Sequence, residues 1–418
     1  MSRSSLTRLL LILAGLVLLG GLISMLPPVQ QRLSWRIDLA MAYLRGVFNP
    51  VGKMPTAVAA EALLVTPVPT ATPTQTLEVL VPTDQPPTPT APPQPTATPI
   101  PQSISLPAPA WEKQDPNNCG PASLSMYLRY YGWEGDQFSI SSVVKPQRDD
   151  RNVNVEEMAY FVRNYAGWLN VQYRVGGDLN TLKKLLAAGI PVIIEESFYF
   201  EDPYWPNDDL WAAHYNLITG YDDASRTITA QDSFIGANQV IPYKTVQDYW
   251  HSFNYVYIMV YPPEKEGEVQ AILGENWDVD VNRQNALELS QAETLSDPQD
   301  AFAWFNLGSN LVYFERYVEA SEAFDKAREL GLPQRMLRYQ FSPFFAYFHT
   351  GQIDDLLALT KYALQITRNA EEAFLWHGWA LYRQGDTPGA IADFQNALAQ
   401  NPNYQDAQYA LDFVQANP

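Results

Sequence analysis

Cysteine is almost absent from this protein. Among 418 residues there is one, Cys119, and a lone cysteine excludes an intramolecular disulfide framework. Histidine is nearly as scarce, with four residues. No pair of His or Cys stands at metal-ligand spacing, and the acidic clusters lack the glycine-centred pattern of a calcium loop, so no metal or other cofactor is expected. Positive charge is in deficit: the formal net charge is −19. That argues against nucleic acid as a partner and against adhesion of the bulk of the protein to anionic lipid. There is no phosphate-binding P-loop.

What is present falls into five segments. Leu9 to Leu26 reads LLLILAGLVLLGGLISML, without a charge. Its length corresponds to roughly 27 Å of helix, about one bilayer core. Arg3 and Arg8 precede the run and favour a cytoplasmic N-terminus, a bias that Arg32 and Arg36 weaken. No A-x-A-like site closes it, so a retained transmembrane signal-anchor over 1–30 is expected in preference to a cleaved signal peptide. Over 31–54, Leu33, Ile37, Met41, Leu44 and Phe48 recur at helical spacing with Arg32, Arg36 and Arg45 between them. This juxtamembrane segment either lies in the membrane interface or docks on the rest of the protein. Residues 55–109 are dominated by Pro, Thr, Ala and Val, a linker biased to extended polyproline conformation. Forty such residues would span on the order of 130 Å fully extended. A stalk of that length holds the folded part away from a membrane, outside the cytoplasm.

The first folded segment is expected over 110–265. In "NNCGPASLSMYLRYYG" Pro121 sits at the first turn of a helix that Gly132 closes, which puts Cys119 at a helix N-terminus. Unsatisfied N–H groups and the helix dipole stabilise a thiolate there. The alternative is a small apolar residue that happens to carry sulfur. Further on, "DLNTLKKLLAAGIPVIIEES" reads as a helix, a Gly-Pro turn and a buried strand at Val192–Glu195. His214–Gly220 and Thr227–Gln231 read as two strands of a hairpin turning through Asp222–Ser225. A turn centred on Asp223 places Ile218 opposite Ile228 and His214 opposite Asp232, with opposed side chains about 5 Å apart. A slip by one residue would send Asp232 to the other face. Asp222 lies too far along the strand to reach His214. The loop Phe198–Trp211 is aromatic and acidic. It is expected either to line a cleft, where Glu201, Asp202, Asp208 and Asp209 would favour basic substrates, or to pack on itself in solvent.

Hydrolysis of an amide by a thiol needs a thiolate, an imidazole to take and return a proton, and a partner fixing the imidazole tautomer. It also needs donors at the developing oxyanion. Cys119, His214 and Asp232 are the candidates for the first three, with His251 competing as the base.

"NNCGPASLSMYLRYYG", "GIPVII", "HYNLITGYDD" and the following "DS" resemble the C39-like cysteine peptidases, known for bacteriocin processing and papain-like in fold. The resemblance spans about 110–260. It implies Cys119 as nucleophile, His214 as general base, Asp232 as the residue orienting the histidine, and Gln114 as an oxyanion donor. The departure is Ser233, where the family often has Pro. Specificity for double-glycine leaders is not implied, because that activity belongs to cytoplasmic domains fused to exporters.

From 279 to 418 the pattern turns helical and repetitive. Units beginning at 301 and 371 resemble 34-residue tetratricopeptide repeats, with Leu307, Gly308, Ala320, Phe324 and Ala327 matching in one and Phe374, Gly378, Leu381, Ala390, Phe394, Ala397 and Pro402 in the other. A degenerate unit starts near 337, and helices at each end would cap the array. Such arrays bind peptides or proteins and fold on their own; the alternative is that they brace the thiol domain.

The expected fold is therefore an α+β papain-like thiol domain, with the Cys-bearing helix packed on an antiparallel sheet carrying His and Asp. An all-α repeat domain follows it, and a transmembrane helix precedes it. The expected function is hydrolysis of peptide bonds in a peptide or protein substrate, with a further protein partner on the repeats and the membrane contacted through the N-terminus. A non-catalytic peptide-binding adaptor and a thiol acyltransferase or isopeptidase stay open.

Overall fold

A computed structural model describes residues 27–57, 99–148 and 150–417. The apolar run Leu9–Leu26 and most of the Pro/Thr-rich linker lie outside the described residues. Among those that are described, no helix is long and apolar enough to cross a membrane.

Helix α1 (Pro27–Phe48) precedes the linker, and near its C-terminal end Gly46 lies against Trp205 and Pro206. The segment after it runs onto the repeats. Met54 is buried in their core, Arg328 Nε donates to Pro55 O at 2.7 Å, and Tyr362 Oη donates to Gly52 O at 3.2 Å. The juxtamembrane segment thus docks at its C-terminal end. The expected apolar stripe on α1 remains open: Ile37, Met41, Leu44 and Phe48 are all exposed.

The thiol domain opens with the short strand β1 (Ser103–Ser105) and three helices, α2 (Cys119–Tyr130), α3 (Gln137–Val144) and α4 (Val155–Tyr165). Strand β2 (Asn170–Arg174) and helix α5 (Leu179–Ala187) follow. Then come β3 (Val192–Tyr199), β4 (Trp211–Asp222), β5 (Thr227–Asp232), β6 (Gly236–Pro242), helix α6 (Tyr243–Trp250), β7 (Tyr257–Tyr261) and helix α7 (Glu266–Leu273). The strands form one antiparallel sheet in the order β2-β7-β3-β4-β5-β6, and β1 pairs with β4 beyond the end of β3. Alternation along the strands buries both faces. Ile193, Tyr215, Leu217, Ile258 and Val260 pack under α2 and α4, while Val192, Ile194, Ile218, Met259 and Tyr261 pack with α5, α6 and α7. This is the expected helix-on-sheet arrangement.

The hairpin differs from its expected register. Asp222 pairs with Thr227, because Asp222 Oδ1 accepts from Ala224 N and Ser225 N and closes a four-residue turn. That placement of the turn shifts the pairing by three residues. An irregularity at Thr219 gives one back, so Ile218 opposes Ala230 and Asn216 opposes Asp232. The net slip of two residues preserves the face. His214 therefore sits diagonally from Asp232 instead of directly opposite, just past the end of the β4–β5 ladder.

The remaining helices run in antiparallel pairs: α8 (Val279–Ser296), α9 (Ala301–Tyr313), α10 (Tyr317–Leu330), α11 (Ser342–Thr350), α12 (Ile353–Ile366), α13 (Glu371–Arg383), α14 (Thr387–Gln400) and α15 (Gln405–Ala416). Gly308 and Gly378 play equivalent parts. A Cβ at Gly308 would lie 2.5 Å from Phe324, and one at Gly378 2.6 Å from Phe394. Only glycine lets each helix pair close this far.

The first repeats share a core with the thiol domain, while Leu375, Ala390, Phe394, Ala397, Ala407, Ala410 and Val414 of the last helices form a cluster of their own. Val175, Trp211, Phe253 and Val256 of the thiol domain belong to the same apolar cluster as Phe305, Leu311, Met336 and Phe344. The Trp211 ring stacks on Phe253 and meets Phe302 and Tyr339. Arg335 Nη1 and Nη2 each bond Asp208 at 2.6 Å, with both side chains buried. This continuity favours bracing over an independently folding array. Removing one member of a buried ion pair strands the other charge, at a cost of about 3–5 kcal/mol. Asp208→Asn is accordingly expected to lower unfolding stability by about that amount, read by denaturant melts. A change below about 1 kcal/mol would show that the joint does not depend on this pair.

Candidate active site

The approach to Cys119 is splinted before the helix begins. Gln137 Oε1 accepts from Asp115 N at 2.7 Å and from Asn118 Nδ2 at 2.8 Å, while Gln137 Nε2 donates to Lys113 O at 2.8 Å. Asn117 takes the left-handed region at φ 57°, which asparagine tolerates better than most residues. The backbone then enters α2 at Cys119, with the first helical bond running from Ala122 N to Asn118 O. One turn on, Ser123 Oγ donates to Tyr215 O at 2.9 Å. That bond locks the thiol-bearing helix to β4 beside His214.

The sequence-predicted residues meet in one place. His214 Nε2 lies 2.9 Å from Asp232 Oδ1, and both are buried. Cys119 borders the same cleft as His214, near enough for each side chain to shift the ionisation of the other. Asp232 Oδ1 also accepts from the backbone N–H of Phe234 at 2.7 Å and of Ile235 at 2.9 Å. The Phe198 ring packs against the imidazole with centroids 5.3 Å apart. Gln114 borders the same cleft. Its backbone N–H donates to Ser233 O at 2.9 Å, and its Oε1 accepts from Ser233 Oγ at 2.9 Å, an arrangement that leaves Nε2 to donate elsewhere. The serine that departs from the family pattern thus orients the glutamine. His251, the competing base, lies at the joint with the repeats, 3.4 Å from Glu293 and 3.6 Å from Asp300, and does not border the cleft.

Electrostatics favour the charged pair. Burial pushes the Cys119 thiol up, but the hydrogen bond and charge of His214, a backbone hydrogen bond at Tyr215 and the nearby Lys145 outweigh it, and the net shift is downward. Burial likewise opposes the imidazolium. Its hydrogen bonds to Asp232 and Cys119 and their charges overcome this and raise His214 to about 10. Asp232 feels the same burial, yet its bonds from His214 and two backbone amides hold it below the usual carboxylate range.

Sequence reasoning missed several participants. Lys145 is buried and donates to Asn117 O and Asp150 O, a fixed cation behind the thiol. Arg335, Arg338 and Tyr339 reach the cleft from the repeats, beside Arg148, Arg151, Phe198, Phe200 and Tyr204. The cleft has a volume of about 500 Å³, within the range of ligand pockets. The one signal for the repeat-borne residues was the degeneracy of the unit near 337. Two acids of the aromatic loop are spent on structure: Asp208 holds Arg335, and Asp209 accepts from Gln334 N and Trp211 N. The expected preference for basic substrates loses its basis in those two residues.

The comparisons with known proteins bear on parts of the sequence. The family model described as "Peptidase_C39 like family" matches residues 103–258, and that segment is a C39-like peptidase domain. Three solved structures are similar over parts of the sequence. Xylellain, a cysteine protease from Xylella fastidiosa, is 14% identical with a TM-score of 0.30, covering 39% of this protein and 87% of its own length. A double glycine motif protease from an AMS/PCAT transporter, in complex with the leader peptide, is 19% identical with a TM-score of 0.28, covering 38% and 94%. YrrB, a TPR protein with an unusual peptide-binding site, is 22% identical with a TM-score of 0.29, covering 36% and 74%. No curated protein sequence matches.

The lowered thiol and raised imidazole set a pH dependence. The Cys119 thiol ionises at lower pH than a free cysteine, and the imidazolium beside it persists until pH rises toward about 10. Alkylation of native Cys119 by iodoacetamide is therefore expected to set in at lower pH than that of a free cysteine. His214→Ala should return the thiol to ordinary behaviour, a few per cent ionised at pH 7, and slow the reaction at pH 6 by roughly tenfold or more. Native reaction only above pH 8 would contradict the charged pair.

Proposed function

We propose that this protein is a membrane-tethered cysteine peptidase that hydrolyses peptide bonds with Cys119, His214, Asp232 and Gln114. The observation that carries the reading is the buried His214–Asp232 pair at 2.9 Å set beside the Cys119 thiol, with Cys119, His214 and Gln114 bordering one cleft. The Cys119 thiolate attacks the scissile carbonyl carbon, and the carbonyl π electrons move to oxygen. The Gln114 Nε2 and the Cys119 backbone N–H donate to that oxyanion. The imidazolium of His214 passes its proton to the leaving amine as the C–N bond breaks, leaving a thioester. His214, now neutral, takes a proton from water; the resulting hydroxide equivalent displaces the thiolate and releases the carboxylic acid. Asp232 holds the ring and favours the imidazolium throughout.

Tethering rests on the uncharged run Leu9–Leu26 and on α1, whose open apolar stripe suits a membrane interface. Because residues 52–55 dock on the repeats, the linker begins on the folded part and does not hold it away from the membrane; the folded part works outside the cytoplasm, and the repeats hold a protein partner or the substrate beside the cleft.

Activity is tested by quenched-fluorescent peptide libraries on the full-length protein. Cys119→Ala should abolish turnover, and Gln114→Ala should lower kcat by roughly 10²-fold or more, as loss of an oxyanion donor does. Turnover surviving in Cys119→Ala would overturn the assignment. Tethering is tested by adding protease to intact cells: the repeats should be degraded and the N-terminal run retained in the membrane fraction. Protected repeats, or a mature protein starting near residue 30, would refute it.

A further inference from the structure

The cleft is cationic in an acidic protein. Lys113, Arg148, Arg151, Arg335 and Arg338 border it, against the single carboxylate of Asp115, although the formal net charge of the whole sequence is −19. Two of these cations are neutralised within the fold. Arg335 is clasped by Asp208, and Arg148 donates to both oxygens of Asp115, at 2.9 and 3.0 Å.

Arg338 has no such partner. Its side chain is buried, with the residue 6% exposed. Nε donates to Thr367 Oγ1 at 2.8 Å, while Nη2 is buried without a hydrogen-bond partner. Among the described residues no carboxylate pairs with it, and none pairs with Arg151. Burial lowers its pKa; Tyr339 offsets part of this, and the like charges of Arg151 and Arg335 add to it, for a value of about 10. A buried guanidinium still charged at neutral pH and lacking a counter-charge is costly, and a ligand that brings one is bound strongly. The planar fork of arginine matches the two oxygens of a carboxylate.

We propose that Arg338 and Arg151 form a carboxylate-binding subsite of the cleft, so that the preferred substrates are peptides carrying a carboxylate close to the bond presented to Cys119. This rests on the peptidase reading above. The carboxylate is an Asp or Glu side chain or the free C-terminus of the peptide. The subsite also accounts for the degenerate repeat. Met336–Arg338 form a short turn there, and its last residue serves the cleft instead of the repeat consensus. Specificity is thereby supplied by the helical domain and catalysis by the thiol domain.

The test uses three short peptides on the full-length protein: one with a Glu side chain and an amidated C-terminus, one with Gln and a free C-terminus, and one with Gln and an amidated C-terminus. Each is assayed twice, for cleavage and for protection of Cys119 against iodoacetamide. At least one carboxylate peptide is expected to protect at a concentration about tenfold or more below the doubly neutral peptide, the scale of one charge-assisted contact. Whichever carboxylate peptide does so names the source. Arg338→Gln should collapse that ratio toward one. Because Arg338 is buried, Arg151→Gln, at a half-buried position, provides a second variant and should shrink the ratio by about threefold or more. Equal protection by all three peptides, protection by none, or an undiminished ratio in both folded variants would overturn the subsite. Protection that follows the carboxylate without any cleavage would leave the subsite standing and sink the peptidase reading. Cleavage indifferent to the carboxylate would do the reverse.

Discussion

The pairing of β4 with β5 decides the chemistry of this protein. It delivers Asp232 to the imidazole of His214, and everything else at the site is arranged around that contact. The turn at Asp223–Arg226 and the irregularity at Thr219 act in opposite directions, and their difference is an even number of residues. An odd difference would have put the carboxylate on the far side of the sheet. The ladder also stops at Asn216, so His214 is paired on one side by β3 only and faces an opening on the other. Past that point Asp232 turns its Oδ1 to the backbone amides of Phe234 and Ile235, which fix the carboxylate independently of the histidine.

The second constraint is the joint between the two folded parts. Trp211 opens β4 and stacks on both Phe253 and Phe302, so the strand bearing His214 is anchored partly in the repeats. Arg335 ties the aromatic loop down through Asp208, and the Trp205 ring lies 4.1 Å from its guanidinium. The loop that forms one wall of the cleft is thus held from outside the thiol domain. A repeat array used this way is a structural part of the cleft, and its neighbouring turn contributes Arg338 and Tyr339 to the lining.

Much of the site was legible in the sequence because its signals are local. Cys119 before Gly120-Pro121 announces a helix start, and the strand alternation around His214 announces a buried face. The register was misjudged by two residues because turn length and a strand irregularity are both decided by side-chain-to-backbone bonds at Asp222 and by packing at Thr219, which residue spacing does not encode. The helix pairs were legible through Gly308 and Gly378, which sit where Phe324 and Phe394 press in. What stayed hidden depends on long-range contact. Lys145 reads as a surface lysine until Asn117 and Asp150 turn their carbonyls to it. Asp208 reads as a substrate-attracting acid until Arg335 arrives from 127 residues away.

The proposed catalysis stands on Cys119 forming a covalent acyl intermediate with help from His214. Its most direct test is intact-mass analysis of the full-length protein mixed with an activated peptide ester and quenched in acid within its first turnovers. A single acyl adduct on Cys119, absent in His214→Ala, is the predicted result, and because the sequence has one cysteine the mass shift reports one site. A folded protein that shows no adduct, or an adduct that forms equally well without His214, would contradict it.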